Sequence, residues 1–115
     1  EWRGAGRRGV WEETGIVERF PAGGPPVVWR TPIGAGYAGP SVAGGRVFVT
    51  DFLPAGDGLR GTERLLALES ASGAVLWKVE WPADYAGLDY ASGPRATPTV
   101  DGDRVYAQGA AGELV

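Results

Sequence analysis

Apolar residues along this chain come in short clusters separated by glycine, proline and acidic residues. Val47, Phe48 and Val49 sit inside RVFVTD (46–51), Leu65, Leu66 and Leu68 inside LLALE (65–69), and Val75, Trp77 and Val79 inside VLWKV (75–79). Clusters this short, rich in β-branched and aromatic residues and bounded by Gly, Ser and Asp, predict strands joined by tight turns. AGGR before the first and ASG between the second and third supply the turn residues a hairpin requires. The intervening stretches 54–63 (PAGDGLRGTE) and 81–97 (WPADYAGLDYASGPRAT) break the pattern and are read as long loops, which makes Trp81 a loop residue.

The pattern repeats. PSVAGGRVFVT (40–50) returns as PTVDGDRVYAQ (98–108), 58 residues further on. VVWR (27–30) is matched by VLWK (75–78), and RLLALE (64–69) is begun again by ELV at 113–115. The second connection between units is the longer: Trp29 and Pro40 are 11 residues apart, Trp77 and Pro98 21. Four short antiparallel strands in about 40 to 45 residues, once surplus loops are discounted, is the repeat size of a β-propeller blade. The fold class expected is therefore all-β, a partial propeller of about two blades. A leader over 1–26 packs on the propeller, a lone outer strand runs over 27–33, a first full blade spans 40–79, and the next begins over 97–115. Trp2, Trp11 and Phe20 are the apolar pegs expected to anchor the leader.

GAGYAG (34–39) has the G-x-G-x-x-G spacing of a dinucleotide fingerprint. That fingerprint needs a helix straight after the glycines, whose N-terminal N–H groups meet the phosphate. Here Pro40 and then Gly44-Gly45 and a β run follow, so the glycines belong to the link between two units.

Composition narrows the chemistry more than it widens it. The 115 residues contain 20 Gly and 9 Pro, in keeping with many turns, and no Cys, His or Met. A thiol nucleophile, a disulfide, a Cys/His zinc site and a Ser-His-Asp triad are thereby excluded within the chain. The net charge is −3 with no basic stripe, which argues against nucleic acid, and no segment approaches the roughly 20 apolar residues that span a bilayer. Asp101-Gly102-Asp103 lacks the further oxygen ligands of a calcium loop and reads as a turn, since Ala43-Gly44-Gly45 serves in its place in the first unit. Ser41, Ser70, Ser72 and Ser92 have no imidazole base. Arg3, Arg7 and Arg8 either meet an acidic partner or solvate a glycine-rich terminus. Asp84, Tyr85, Asp89 and Tyr90 form an acidic and aromatic cluster that is either a solvated loop or a contact surface for a partner.

ALESASGAVLW (67–77) fits A-x-[DE]-x-x-x-G-x-x-x-W. It resembles the tryptophan-docking repeat of the PQQ-like β-propellers, a superfamily that includes quinoprotein alcohol dehydrogenases and the outer-membrane assembly lipoprotein BamB. The opening, WRGAGRRGVWEETGIVERFPAGGPPVVWRTPIG, is similar to the start of bacterial PQQ-like repeat proteins. The resemblance implies a docking motif of Ala67, Glu69, Gly73, Trp77 and Trp29, with Glu69 standing where Asp is usual and Ser72 where Thr is commoner. A strand-end Trp can lie over a glycine turn of the neighbouring blade while its indole N–H finds a carbonyl, and the acidic side chain can bind N–H groups of its own turn. A non-catalytic binding or assembly scaffold in a periplasmic or otherwise exported setting follows as the expected role. The remaining blades of the same chain and a protein partner are its expected contacts. The alternative is part of a quinone-dependent alcohol dehydrogenase, with quinone and calcium held by residues outside this segment. No residue here matches a catalytic motif of those enzymes, and no cofactor is expected within these residues.

Overall fold

A computed structural model of the chain describes residues 6, 8–10, 12, 14–56 and 58–115. Trp2, Arg3, Arg7 and Trp11 lie outside the described residues. Strands β1 (Ser41–Ala43), β2 (Arg46–Ala55), β3 (Arg60–Glu69) and β4 (Val75–Asp84) form an antiparallel sheet in the order β1-β2-β3-β4. Strands β5 (Thr99–Asp101) and β6 (Arg104–Tyr106) form a second antiparallel pair, with β5 beside β1. No helix among the described residues is long and apolar enough to cross a membrane.

The turns at Gly44-Gly45 and 70–74 lie at one end of the four-stranded sheet, here called the turn end. The β2–β3 tip and the 85–98 connection lie at the other, the loop end. Gly44 and Gly45 both adopt positive φ, the backbone their hairpin demands.

The Leu-Leu-Ala-Leu run of β3 is explained by burial on both faces of the sheet. Leu65 and Ala67 join Phe48, Trp81 and Ala107 on one face, with Val100 and Val105 of the second pair against them. Leu66 and Leu68 join Val49 on the other, where Trp29 and Val47 pack. β4 is the outer edge, and Val75, Leu76, Trp77 and Val79 are each at least 38% exposed.

Part of each region read as a loop is strand, while 85–97 is a loop as expected. β2 pairs with β3 from Arg46↔Glu69 out to Ala55↔Arg60, and β4 continues through Trp81 to Asp84. The prolines that argued otherwise stand where a missing N–H is tolerated, Pro82 on the edge strand and Pro54 near the tip. Gly61 is required by the side chain beside it, because a Cβ there would meet the Phe52 ring at 2.8 Å.

Two further expectations fail. Residues 27–33 carry no ladder; Trp29 packs instead against the face formed by Val49, Leu66 and Leu68. Phe20 is 59% exposed, as the residues around it are exposed, so it is not an anchoring peg.

The glycines of GAGYAG have a packing purpose. Ala35 bridges Phe52 through N–H to O bonds of 3.1 and 2.7 Å, which continues the sheet beyond the short β1. A Cβ on Gly34 would collide with the Phe52 carbonyl, and one on Gly36 would sit 3.1 Å from the Thr50 carbonyl. Close backbone approach therefore selects glycine here.

Candidate functional site

The loop end holds the chain's two fully buried carboxylates among the described residues, Asp51 and Glu63. Asp51 faces residues 29–36 and is held by the Arg64 fork, with Nε donating at 2.8 Å and Nη2 at 2.5 Å. The Gly34 N–H donates to the same carboxylate at 2.5 Å. The bond to Asp51 holds the Arg64 guanidinium above its ordinary pKa. A two-pronged pair with an added amide donor satisfies a buried charge that would otherwise be costly.

Glu63 lies on the opposite face and forms no ion pair among the described residues. Its carboxylate accepts the Trp81 indole N–H at 2.7 Å, the Tyr85 hydroxyl, and the Ala110 N–H at 3.2 and 3.3 Å to its two oxygens. Three neutral donors thus stand in for water around an anion. Burial, and then the bond to Glu63, raises the Tyr85 hydroxyl pKa well above that of a free phenol. The Tyr85 ring packs against Phe52, with centroids 4.8 Å apart.

The Ala110 contact joins the two repeats. The hairpin that follows β6 turns at once: Gly109 N–H donates to the Glu113 carbonyl at 2.8 Å, and Ala107 and Val115 exchange bonds of 2.9 and 3.0 Å. Gly109 stands 58 residues after Asp51, so the second repeat turns where the first continues outward for another twelve residues, 52–63. That extension carries Glu63 onto the turn of its neighbour. A Cβ on Gly109 would lie 2.6 Å from the Glu63 carboxylate and 2.8 Å from the Trp81 nitrogen.

The four residues read as a loop cluster divide sharply. Tyr85 is 1% exposed, its hydroxyl is bound to Glu63, and it offers nothing to a partner. Asp84 ends β4, and the Ala86 N–H followed by the Arg60 guanidinium holds its exposed carboxyl below the usual carboxylate range. Asp89 and Tyr90 are exposed. Trp81 is a correction in the same sense: it is a strand residue, 7% exposed, at the centre of the network.

The motif residues gather at the turn end. Gly73 has φ +73°, and a Cβ there would enter the Trp29 ring. The Trp29 indole N–H donates to the Ser70 carbonyl at 2.9 Å, and Thr31 Oγ1 donates to the Gly73 carbonyl at 2.6 Å. The Glu69 carboxylate does not receive the turn's N–H groups directly; it accepts the Ser72 hydroxyl, Ser72 Oγ accepts the Ala74 N–H at 3.2 Å, and the Glu69 carbonyl accepts the Gly73 N–H at 2.8 Å. The longer glutamate side chain reaches the hydroxyl and leaves the amide to it. Ala67 is buried in the face shared with β6, and Trp77 pairs opposite it. Trp77 stands 5.9 Å from Phe48 and remains 38% exposed, beside a groove of ≈ 300 Å³ also lined by Arg46, Val100, Asp103 and Arg104.

Among the described residues no three carboxylates converge to hold a metal ion. Asp51 and Glu63 are enclosed and already bonded, so neither is placed to act as a base toward a bound alcohol or to ligate a calcium ion. Sequence reading missed Asp51, Glu63, Arg64 and Trp81 as a group; the one available signal was the aromatic and charged content of two stretches classed as loops.

Residues 20–115 match the family model PQQ_2, described as outer membrane protein assembly factor BamB. Comparison with curated proteins and with solved structures gave no match.

Proposed function

This chain belongs to the PQQ_2 repeat family, and from that membership we propose that it is a non-catalytic scaffold, a propeller repeat domain that presents a fixed surface for binding or assembly. In this reading β1–β4 are one blade and β5–β6 the inner strands of the next. The family description, an assembly factor of the outer membrane, supports a protein partner and an exported setting for this chain. The observation that carries the reading is the use made of Glu63. In an enzyme a buried carboxylate at a loop end is a reagent, held near a substrate with a lone pair to spare. Here it is bound by Trp81, Tyr85 and Ala110, and it clamps one blade to the next. A loop end fastened in this way is rigid, which suits a surface that selects partners by shape and charge.

The same geometry supports a docking role for Trp29 at the Gly73 turn, with Trp77 in the corresponding place on the next repeat. Catalysis is tested directly. The full-length protein, supplied with calcium and pyrroloquinoline quinone, should show no saturable quinone binding in absorbance titrations and no dye-linked alcohol oxidation. Saturable turnover that disappears when calcium is chelated would replace the scaffold by the dehydrogenase reading.

A further inference from the structure

The surface of the loop end carries one cation held in an unusual way. The Arg95 guanidinium carbon lies 4.3 Å from the ring centroid of Tyr37 and 4.3 Å from that of Tyr90. Tyr90 and Arg95 lie five residues apart in the 85–98 connection and Tyr37 in the 34–39 link, and hydrogen bonds anchor both stretches. The Tyr37 N–H donates to the Pro94 carbonyl at 2.9 Å, the Tyr90 hydroxyl donates to the Ala110 carbonyl at 3.3 Å, and Arg95 Nη2 donates to the Ala91 carbonyl at 3.2 Å. Gly93 makes the approach possible, since a Cβ there would lie 3.0 Å from Gly36. All three side chains are nevertheless exposed, and no ion pair of Arg95 occurs among the described residues.

An arginine lying against two tyrosine rings has lost part of the freedom that makes exposed ion pairs weak, and its exposed guanidinium still presents an N–H edge to a ligand. Such an edge matches the two oxygens of a carboxylate in one plane. Tyrosine and arginine are also the residues that carry most binding energy at protein interfaces, because they supply contact area at low entropic cost. From this geometry we infer that the Tyr37–Arg95–Tyr90 clamp is a binding site for a carboxylate of a partner protein, an Asp or Glu side chain in an acidic segment. The inference rests on the scaffold reading and names the partner's chemistry. With a net charge of −3 on the chain, long-range attraction does not favour an acidic partner, so selection comes from the short-range two-pronged contact.

The probe is a capped Gly-Asp-Glu-Asp-Gly peptide titrated into the full chain while the Tyr37 and Tyr90 backbone amide resonances are followed by NMR. A saturable shift is expected, absent with the Gly-Asn-Gln-Asn-Gly analogue of equal size. Arg95→Lys, which keeps the charge and loses the planar fork, should weaken binding about tenfold. An equal response to the amide peptide, to inorganic phosphate, or in Arg95→Lys would overturn the inference, as would no saturable shift at low-millimolar acidic peptide in the unaltered chain. Quinone-dependent turnover would sink the scaffold reading; a flat titration without turnover would sink the clamp alone.

Discussion

At the turn end of the four-stranded sheet, Val49, Leu66 and Leu68 pack under Trp29, and the specific devices are Gly73, the Trp29 and Thr31 bonds to carbonyls of the turn, and the Ser72–Glu69 bond on the surface. At the loop end, Phe52, Trp81 and Tyr85 pack around the buried Glu63 carboxylate on one face, and Arg64 holds the buried Asp51 carboxylate on the other. The same three strands run through both ends, yet one is closed by apolar contact and the other by polar bonds inside an aromatic shell. The difference follows from what each end must meet. The turn end repeats along the chain, so a motif of A-x-[DE]-x-x-x-G-x-x-x-W suffices for it. The loop end belongs to this repeat alone, because the matching hairpin after β6 has three residues between Gly109 and Glu113 where the first has twelve between Asp51 and Arg64, and the projecting extension must find its own neighbours. Carboxylates give that contact direction: Glu63 can be satisfied only when the Ala110 turn is in place, whereas an apolar surface would accept many arrangements.

Four substitutions test this contrast, beginning with the largest expected effect. Trp81→Ala removes a ring that is 7% exposed together with a donor to Glu63, and should cost about 3 to 5 kcal/mol in urea unfolding. Trp77→Ala, at 38% exposure, should cost clearly less. Equal losses would mean that the loop end is no more tightly built than the outer edge of the sheet.

Gly73→Ala addresses the turn end alone. Positive φ and the Trp29 ring both oppose a Cβ, so a loss of about 1 to 3 kcal/mol is expected, with increased exposure of Trp29 to fluorescence quenchers. Unchanged stability and quenching would show that Trp29 does not depend on that turn.

Tyr85→Phe sharpens the comparison through pH. It removes one of the three donors to Glu63 and should cost about 1 to 2 kcal/mol at neutral pH. The folded pKa of Tyr85 is raised above the unfolded value of about 10. The stability contributed by its protonated hydroxyl is therefore fully present below about pH 10 and is lost as pH rises through the folded value. The gap between wild type and Tyr85→Phe in urea midpoint should narrow above about pH 10. A gap that stays constant into the alkaline range would remove the hydroxyl–carboxylate bond from the account.

The legible and illegible parts of the molecule correspond to the same two ends. Gly44-Gly45, Ala71-Ser72-Gly73 and the clusters around Val47, Leu66 and Trp77 announce hairpins because turn chemistry and side-chain alternation act over two to five residues, a range that the sequence displays. Pro54, Gly56, Gly58, Gly61 and Pro82 carry the opposite local message, and local reasoning assigns loops to 54–63 and 81–97. Tertiary contact overrules it: Phe52 needs Gly61 bare beside its ring, and Pro82 loses nothing on an outer edge. The amino-acid sequence by itself determined the all-β class, the repeat and the position of its turns. It also excluded thiol, imidazole and zinc chemistry by omission. Only the folded chain decided that Glu63 meets Trp81 eighteen residues away and Ala110 forty-seven away, and that Tyr37, Tyr90 and Arg95 converge. Such pairs obey no period, because their separation is set by how far β2 and β3 extend before turning, and that length is fixed by which neighbour their tip can bury against.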